Sequence, residues 1–147
     1  MLETLQKVVD SDYRAGVVET IDAERVLGAF KRYSLTTGRA VYAWSPDGGL
    51  YRLGNERVFV PHTRSFTDAL GYIAASRHYG IYLMQDSHAA LSKPSAQRAL
   101  QRILTREDDV RRLVLFVGEQ VTIPDDLRGQ MARIRHRPRE SESGASG

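Results

Sequence analysis

The feature that most constrains this chain is an alternation of short apolar runs with stretches whose apolar residues recur at helical spacing. The runs are Gly16-Val17-Val18-Glu19-Thr20-Ile21, Ala40-Val41-Tyr42-Ala43-Trp44, Ile81-Tyr82-Leu83-Met84, Leu113-Val114-Leu115-Phe116-Val117 and Ala132 to His136. Several are apolar throughout, the pattern of strands covered on both faces in a mainly parallel sheet. Between the first two, Ala23, Val26, Leu27, Phe30 and Tyr33 fall on one face of a helix, with Thr20 or Asp22 as its cap and Gly38 beyond its end. Ser65, with Asp68 three residues on, opens a helix lined by Ala69, Leu70, Ile73 and Ala74. Lys93-Pro94-Ser95 opens another, lined by Ala96, Ala99, Leu100, Ile103 and Leu104, and Pro124-Asp125-Asp126 begins a last one through Leu127 and Met131. Right-handed crossovers then predict an α/β three-layer sandwich with a mainly parallel five-stranded sheet.

Two segments lie outside this order. Leu2, Leu5, Val8 and Val9 form the stripe of an N-terminal amphipathic helix over residues 2–11. After the turn Ser45-Pro46-Asp47-Gly48-Gly49, Leu50 to Leu53 and Arg57 to Val60 predict a small hairpin across Gly54-Asn55. Two readings of these segments stand side by side. In one they fold back and complete the core. In the other they bind a partner through Leu5, Tyr51 and Phe59, with self-association as the simplest form. From Pro138 onward nothing apolar is able to dock, so residues 1–138 read as a single domain and 139–147 as a disordered tail.

Composition removes several classes. The chain has no cysteine, so disulfides, thiolate zinc sites and thiol catalysis are excluded. No apolar run approaches the ~20 residues of a membrane-spanning helix, and Met1 to Asp12 lacks the pattern of a signal peptide, so the expected location is the cytoplasm. Net charge is +3, from 21 basic and 18 acidic residues. Much of the excess sits in Arg133, Arg135, Arg137 and Arg139, which keeps a nucleic-acid partner as an alternative.

The first strand-to-helix junction is where a nucleotide hydrolase of this topology carries G-x-x-x-x-G-K-[ST], whose backbone N–H groups cradle phosphates. Here that junction reads Glu19-Thr20-Ile21-Asp22-Ala23-Glu24-Arg25, with no glycine between Gly16 and Gly28 and no Gly-Lys pair anywhere. Three carboxylates stand where anionic phosphates would sit. The expectation is an AAA/P-loop-like core lacking the P-loop, no catalysis and no cofactor. Gln85-Asp86-Ser87 follows an apolar strand as a Walker B aspartate would, but Ser87 occupies the position of the hydrolytic glutamate. On its own Asp86 reads better as a turn or helix-capping residue, and Asp86 with His88 supplies too few ligands for a metal. No G-x-S-x-G elbow supports a hydrolase.

Taken together, Val17-Val18-Glu19-Thr20, Gly38-Arg39-Ala40-Val41-Tyr42-Ala43-Trp44-Ser45, Asp47-Gly48-Gly49-Leu50, Ala69-Leu70-Gly71-Tyr72-Ile73, Ile81 to His88 and Ile123-Pro124-Asp125-Asp126-Leu127 resemble the N-terminal half of a family of AAA-type ATPases. That family, of poorly defined role, occurs in bacteria and plastids, and in it a degenerate ATPase-like domain precedes a genuine AAA module. The resemblance spans about Val17 to Ile134. It implies sheet order 5-1-4-3-2, no nucleotide turnover, Asp86 matching the Walker B aspartate, and Gly118-Glu119-Gln120 near the sensor region. The sequence ends at Gly147 without such a module, and reads as a fragment or as a free-standing relative. The expected function is a non-catalytic pseudo-ATPase that binds a protein partner in a regulatory or interaction role. A nucleotide-responsive regulator without hydrolysis and a nucleic-acid binder using the arginine-rich C-terminal region are the alternatives.

Overall fold

The computed structural model describes residues 2–54, 56–85 and 89–137. Its elements, in chain order, are α1 (Glu3–Val9), β1 (Ala15–Glu19), α2 (Ala23–Thr37), β2 (Val41–Ser45), β3 (Gly49–Arg52), α3 (Phe66–Ala75), β4 (Gly80–Gln85), α4 (Pro94–Thr105), β5 (Arg112–Gly118), α5 (Asp125–Arg128) and β6 (Ala132–Arg135). Local chemistry sets the helix ends. The Asp22 carboxylate accepts the Arg25 N–H at 3.1 Å and starts α2, and Gly38, at φ 77°, ends it in the left-handed region open to glycine. Ser65 Oγ accepts the Asp68 N–H at 2.9 Å and starts α3. Pro94 opens α4 at a position that needs no N–H.

The strands form one sheet in the order β3-β2-β4-β5-β1-β6, parallel throughout except for the β2–β3 hairpin. Alternate strand residues supply two cores. Ala15, Val17, Tyr82, Met84, Val114 and Phe116 pack with α3, α4 and α5 on one face. Val18, Ile81, Leu83, Leu113, Leu115 and Val117 pack with α1 and α2 on the other. Three layers result, and Val114, Leu115 and Phe116 are fully buried at the centre, as the apolar run predicts.

The sheet has six strands where the sequence predicts five. The five parallel strands follow the expected 5-1-4-3-2 order, and β3 adds an antiparallel sixth outside β2. It forms because Pro46 to Gly48 turn the chain back, with Gly49 at φ 104°, so that the tight hairpin is β2–β3. The predicted Leu50–Val60 hairpin survives as a single bridge between Tyr51 and Phe59 and a Val60 N–H to Leu50 carbonyl bond of 2.7 Å, which covers the outer edge of β3. Two boundaries also differ. β1 ends at Glu19, leaving Ile21 70% exposed, and the last helix is the single turn α5.

Helix and hairpin both fold back into the core. Leu5 is 1% exposed and Tyr51 8% exposed, both in the core under α1 and α2, and Phe59 is half-buried with its ring 5.5 Å from that of Tyr51. The side chains singled out for a partner are thus used in packing, because the stripe of α1 meets the otherwise bare face of β1 and β6. The expected tail, 139–147, lies outside the described residues. No helix among the described residues is long and apolar enough to cross a membrane.

At the end of the sheet where the parallel strands begin, arginines meet the terminal carbonyls of three helices, α1, α3 and α4. Arg111 donates to Val8 and Val9 of α1 at 3.2 and 3.1 Å. Arg14 donates to the Leu104 and Arg106 carbonyls after α4 at 2.8 and 2.6 Å. Arg106 donates to the Ala74 carbonyl, and Arg112 to that of Ser76 at 2.9 Å, at the end of α3. A guanidinium there satisfies orphan carbonyls and opposes the negative end of the helix dipole.

Candidate functional site

Open α/β sheets bind ligands beyond the carboxyl ends of adjacent strands whose connections leave to opposite faces. The chain leaves β1 for α2 on one face, and leaves β5 for α5 on the other. Their neighbouring ends, Glu19 and Gly118, therefore mark the switch point. Glu19-Thr20-Ile21-Asp22, Gly118-Glu119-Gln120 and, from β6, Arg135-His136 surround it.

Most polar groups here are engaged with one another. The Glu19 carboxylate accepts from Arg133 at 2.7 Å and from Arg135 at 3.4 Å. The Thr20 N–H donates to the Gly118 carbonyl at 2.9 Å, extending the β1–β5 ladder. Thr20 Oγ1, itself buried, accepts the Asp22 N–H at 2.9 Å and lies 2.8 Å from His136 Nδ1. The His136 N–H donates to the Glu19 carbonyl at 2.8 Å. Partial burial, and Arg25 nearby, hold the His136 imidazole below its usual pKa, with Asp22 opposing, so the neutral ring is favoured.

Only residues 20–22 connect β1 to α2. The phosphate-cradling loop has about four residues between its two glycines alone and aims free N–H groups at the ligand. In this connection the N–H groups of Thr20 and Asp22 already have partners, and the Asp22 carboxylate caps the helix N-terminus through Arg25. A phosphate placed at the start of α2 would meet the Asp22 carboxylate that caps it. The residues present do not fit a nucleotide phosphate there. Among the described residues no group of three or more histidine and acidic side chains is placed to hold a metal ion.

Of the residues singled out from the sequence, Asp86 and Ser87, with His88, lie outside the described residues. β4 ends beside this edge, with Gln85 in register with Val117. Gly118-Glu119-Gln120 follows β5 as expected. Leu5 and Tyr51 belong to the core. The cluster of Glu19 with Arg133 and Arg135 is not among the residues the sequence singles out. Its signal was present, since arginines two apart in a strand share a face. A cleft of about 200 Å³ opens at the opposite end of the sheet, lined by Asp108 and by Arg14, Arg106, Arg111 and Arg112, the arginines that meet helix carbonyls.

Residues 1–136 match the family model described as the SpoVK-like AAA ATPase, N-terminal domain. A search of curated proteins found no match.

Proposed function

Because the chain belongs to the SpoVK-like AAA ATPase N-terminal domain family, we propose that it acts as a degenerate, non-catalytic ATPase-like module that binds a protein partner in the cytoplasm. The observation that carries this is the β1–α2 junction. Three residues stand where a phosphate loop would need more, the N–H groups of Thr20 and Asp22 are already taken, and the Asp22 carboxylate occupies the start of α2 where phosphates would lie. Removing the loop removes the positioning and charge stabilisation that phosphoryl transfer depends on.

The distribution of arginines weighs against nucleic acid. Arg14, Arg106, Arg111 and Arg112 meet backbone carbonyls, and Arg133 and Arg135 share Glu19, so the excess charge is not gathered on one phosphate-tracking face.

The test is calorimetric titration with ATP and Mg²⁺ beside a phosphate-release assay. Neither binding in the micromolar range nor release above a protein-free control is expected. Either signal would overturn the proposal. A protein recovered reproducibly with the tagged chain from its native host, and binding it directly when purified, would support the partner-binding half.

A further inference from the structure

Among the described residues, β6 is the last strand on its side of the sheet and pairs only with β1. The His136 N–H donates to the Glu19 carbonyl, so the residues of β6 in phase with His136, Ala132 and Ile134, point their backbone groups toward β1. By the two-residue alternation of a ladder, the N–H and C=O groups of Arg133 and Arg135 face outward. Among the described residues no backbone group takes them. The side chains of β6 alternate in the same way. Ala132 and Ile134 are buried against α1 and α2, whereas Arg133 and Arg135 are exposed on the opposite face.

We propose that this outer edge of β6 docks an extended acidic segment of a partner protein, which adds a seventh strand and sets carboxylates two residues apart against Arg133 and Arg135. Charge decides the occupant. A second copy of β6 laid along the edge would bring arginine against arginine, which is unfavourable for directly opposed side chains. An acidic segment brings the opposite sign. Glu19 already shows what a carboxylate does here, bridging both guanidinia at 2.7 and 3.4 Å from within the domain. One carboxylate between two guanidinia leaves a net positive charge and unused donors on each fork. Main-chain bonds supply the docking, and the alternating charges supply register and selectivity.

This surface rests on the interaction-module proposal above, and the two fail separately. The probe is a fluorescently labelled peptide alternating glutamate and valine, titrated by anisotropy against the full chain. Saturable binding is expected, weakened by about tenfold or more in Arg133→Glu with Arg135→Glu and restored when the peptide alternates lysine and valine. A peptide N-methylated at its ladder positions leaves the protein untouched, so it tests the main-chain bonds even where the double variant misfolds; it should lose binding. Equal binding of the N-methylated peptide, or of the double variant, would overturn the docking site. Glu140 and Glu142 have the same two-residue spacing in the sequence. Glu140→Gln with Glu142→Gln should leave peptide affinity unchanged, and a gain of about tenfold, absent with the N-methylated peptide, would assign the edge to this chain's own segment and overturn the partner. A native partner still retained by the double variant would remove this site and leave the interaction module standing. ATP binding would do the reverse.

Discussion

The indole N–H of Trp44 donates to the carbonyl of Thr63 at 3.0 Å, tying β2 to the segment that leads into α3. Thr63 is buried, and its hydroxyl also accepts the Leu50 N–H at 2.9 Å and donates to the Val60 carbonyl at 2.7 Å. One residue thus fastens β2, β3 and the strap over β3. Thr63→Val keeps the shape and removes the hydroxyl, stranding the Leu50 N–H. It should cost about 1–3 kcal/mol in chemical denaturation. Unchanged stability would mean that the hydroxyl is not the fastening.

Leu115 sits fully buried in β5, between β4 and β1, and faces α1 and α2. Leu115→Ala opens a cavity that neighbouring strands are poorly placed to fill. A loss of ~2–5 kcal/mol is expected from denaturant unfolding.

Two tyrosines make the fold sensitive to alkali. Burial pushes the Tyr82 phenol up to about 12, and burial with a hydrogen bond to Tyr33 does the same for Tyr79. The folded state therefore holds protons that the unfolded chain, titrating near 10.0, gives up. Their contribution is intact below that value and lost as pH rises toward 12. Phenolate absorbance followed with pH should show Tyr79 and Tyr82 titrating late, and Tyr82→Phe should make stability fall less steeply across that window.

Asp108 governs the acid side. It accepts from Arg112 at 3.0 and 2.9 Å, from Arg106 at 3.0 Å and from the Val110 N–H at 3.0 Å. The Arg112 hydrogen bond, with the Val110 N–H, holds the carboxyl well below the usual carboxylate range. A depressed pKa gives stability that is present above the ordinary carboxylate range and lost as pH falls. Asp108→Asn should lower the melting temperature at neutral pH, because the buried Arg112 loses its counter-charge, and should flatten the fall in melting temperature on acidification.

What the sequence made legible was the periodic part. The runs at 81–84 and 113–117 appeared as central strands because both of their faces are covered, and the capped segments at Ser65 and Pro94 appeared as helices because their starts carry local signals. The sequence places β3 in a later hairpin, since Pro46-Asp47-Gly48 and Gly54-Asn55 carry similar turn residues. The fate of Leu5 and Tyr51 was left open, because an apolar stripe does not say whether its cover comes from the same chain. Glu19 with Arg133 and Arg135 joins residues more than a hundred positions apart, and only the placement of β6 beside β1 brings them together.

The three-residue link from β1 to α2 also bears on what substitution alone is able to do to this domain. Grafting glycines and a lysine onto Thr20, Ile21 and Asp22 would leave too short a path to encircle a phosphate, and would strip α2 of its cap and His136 of its partner. Gaining a nucleotide site here would require inserted residues, and with them a re-routed entry into α2. Point substitution alone does not build a nucleotide site at this junction, because the length of the link and not its side chains sets the limit.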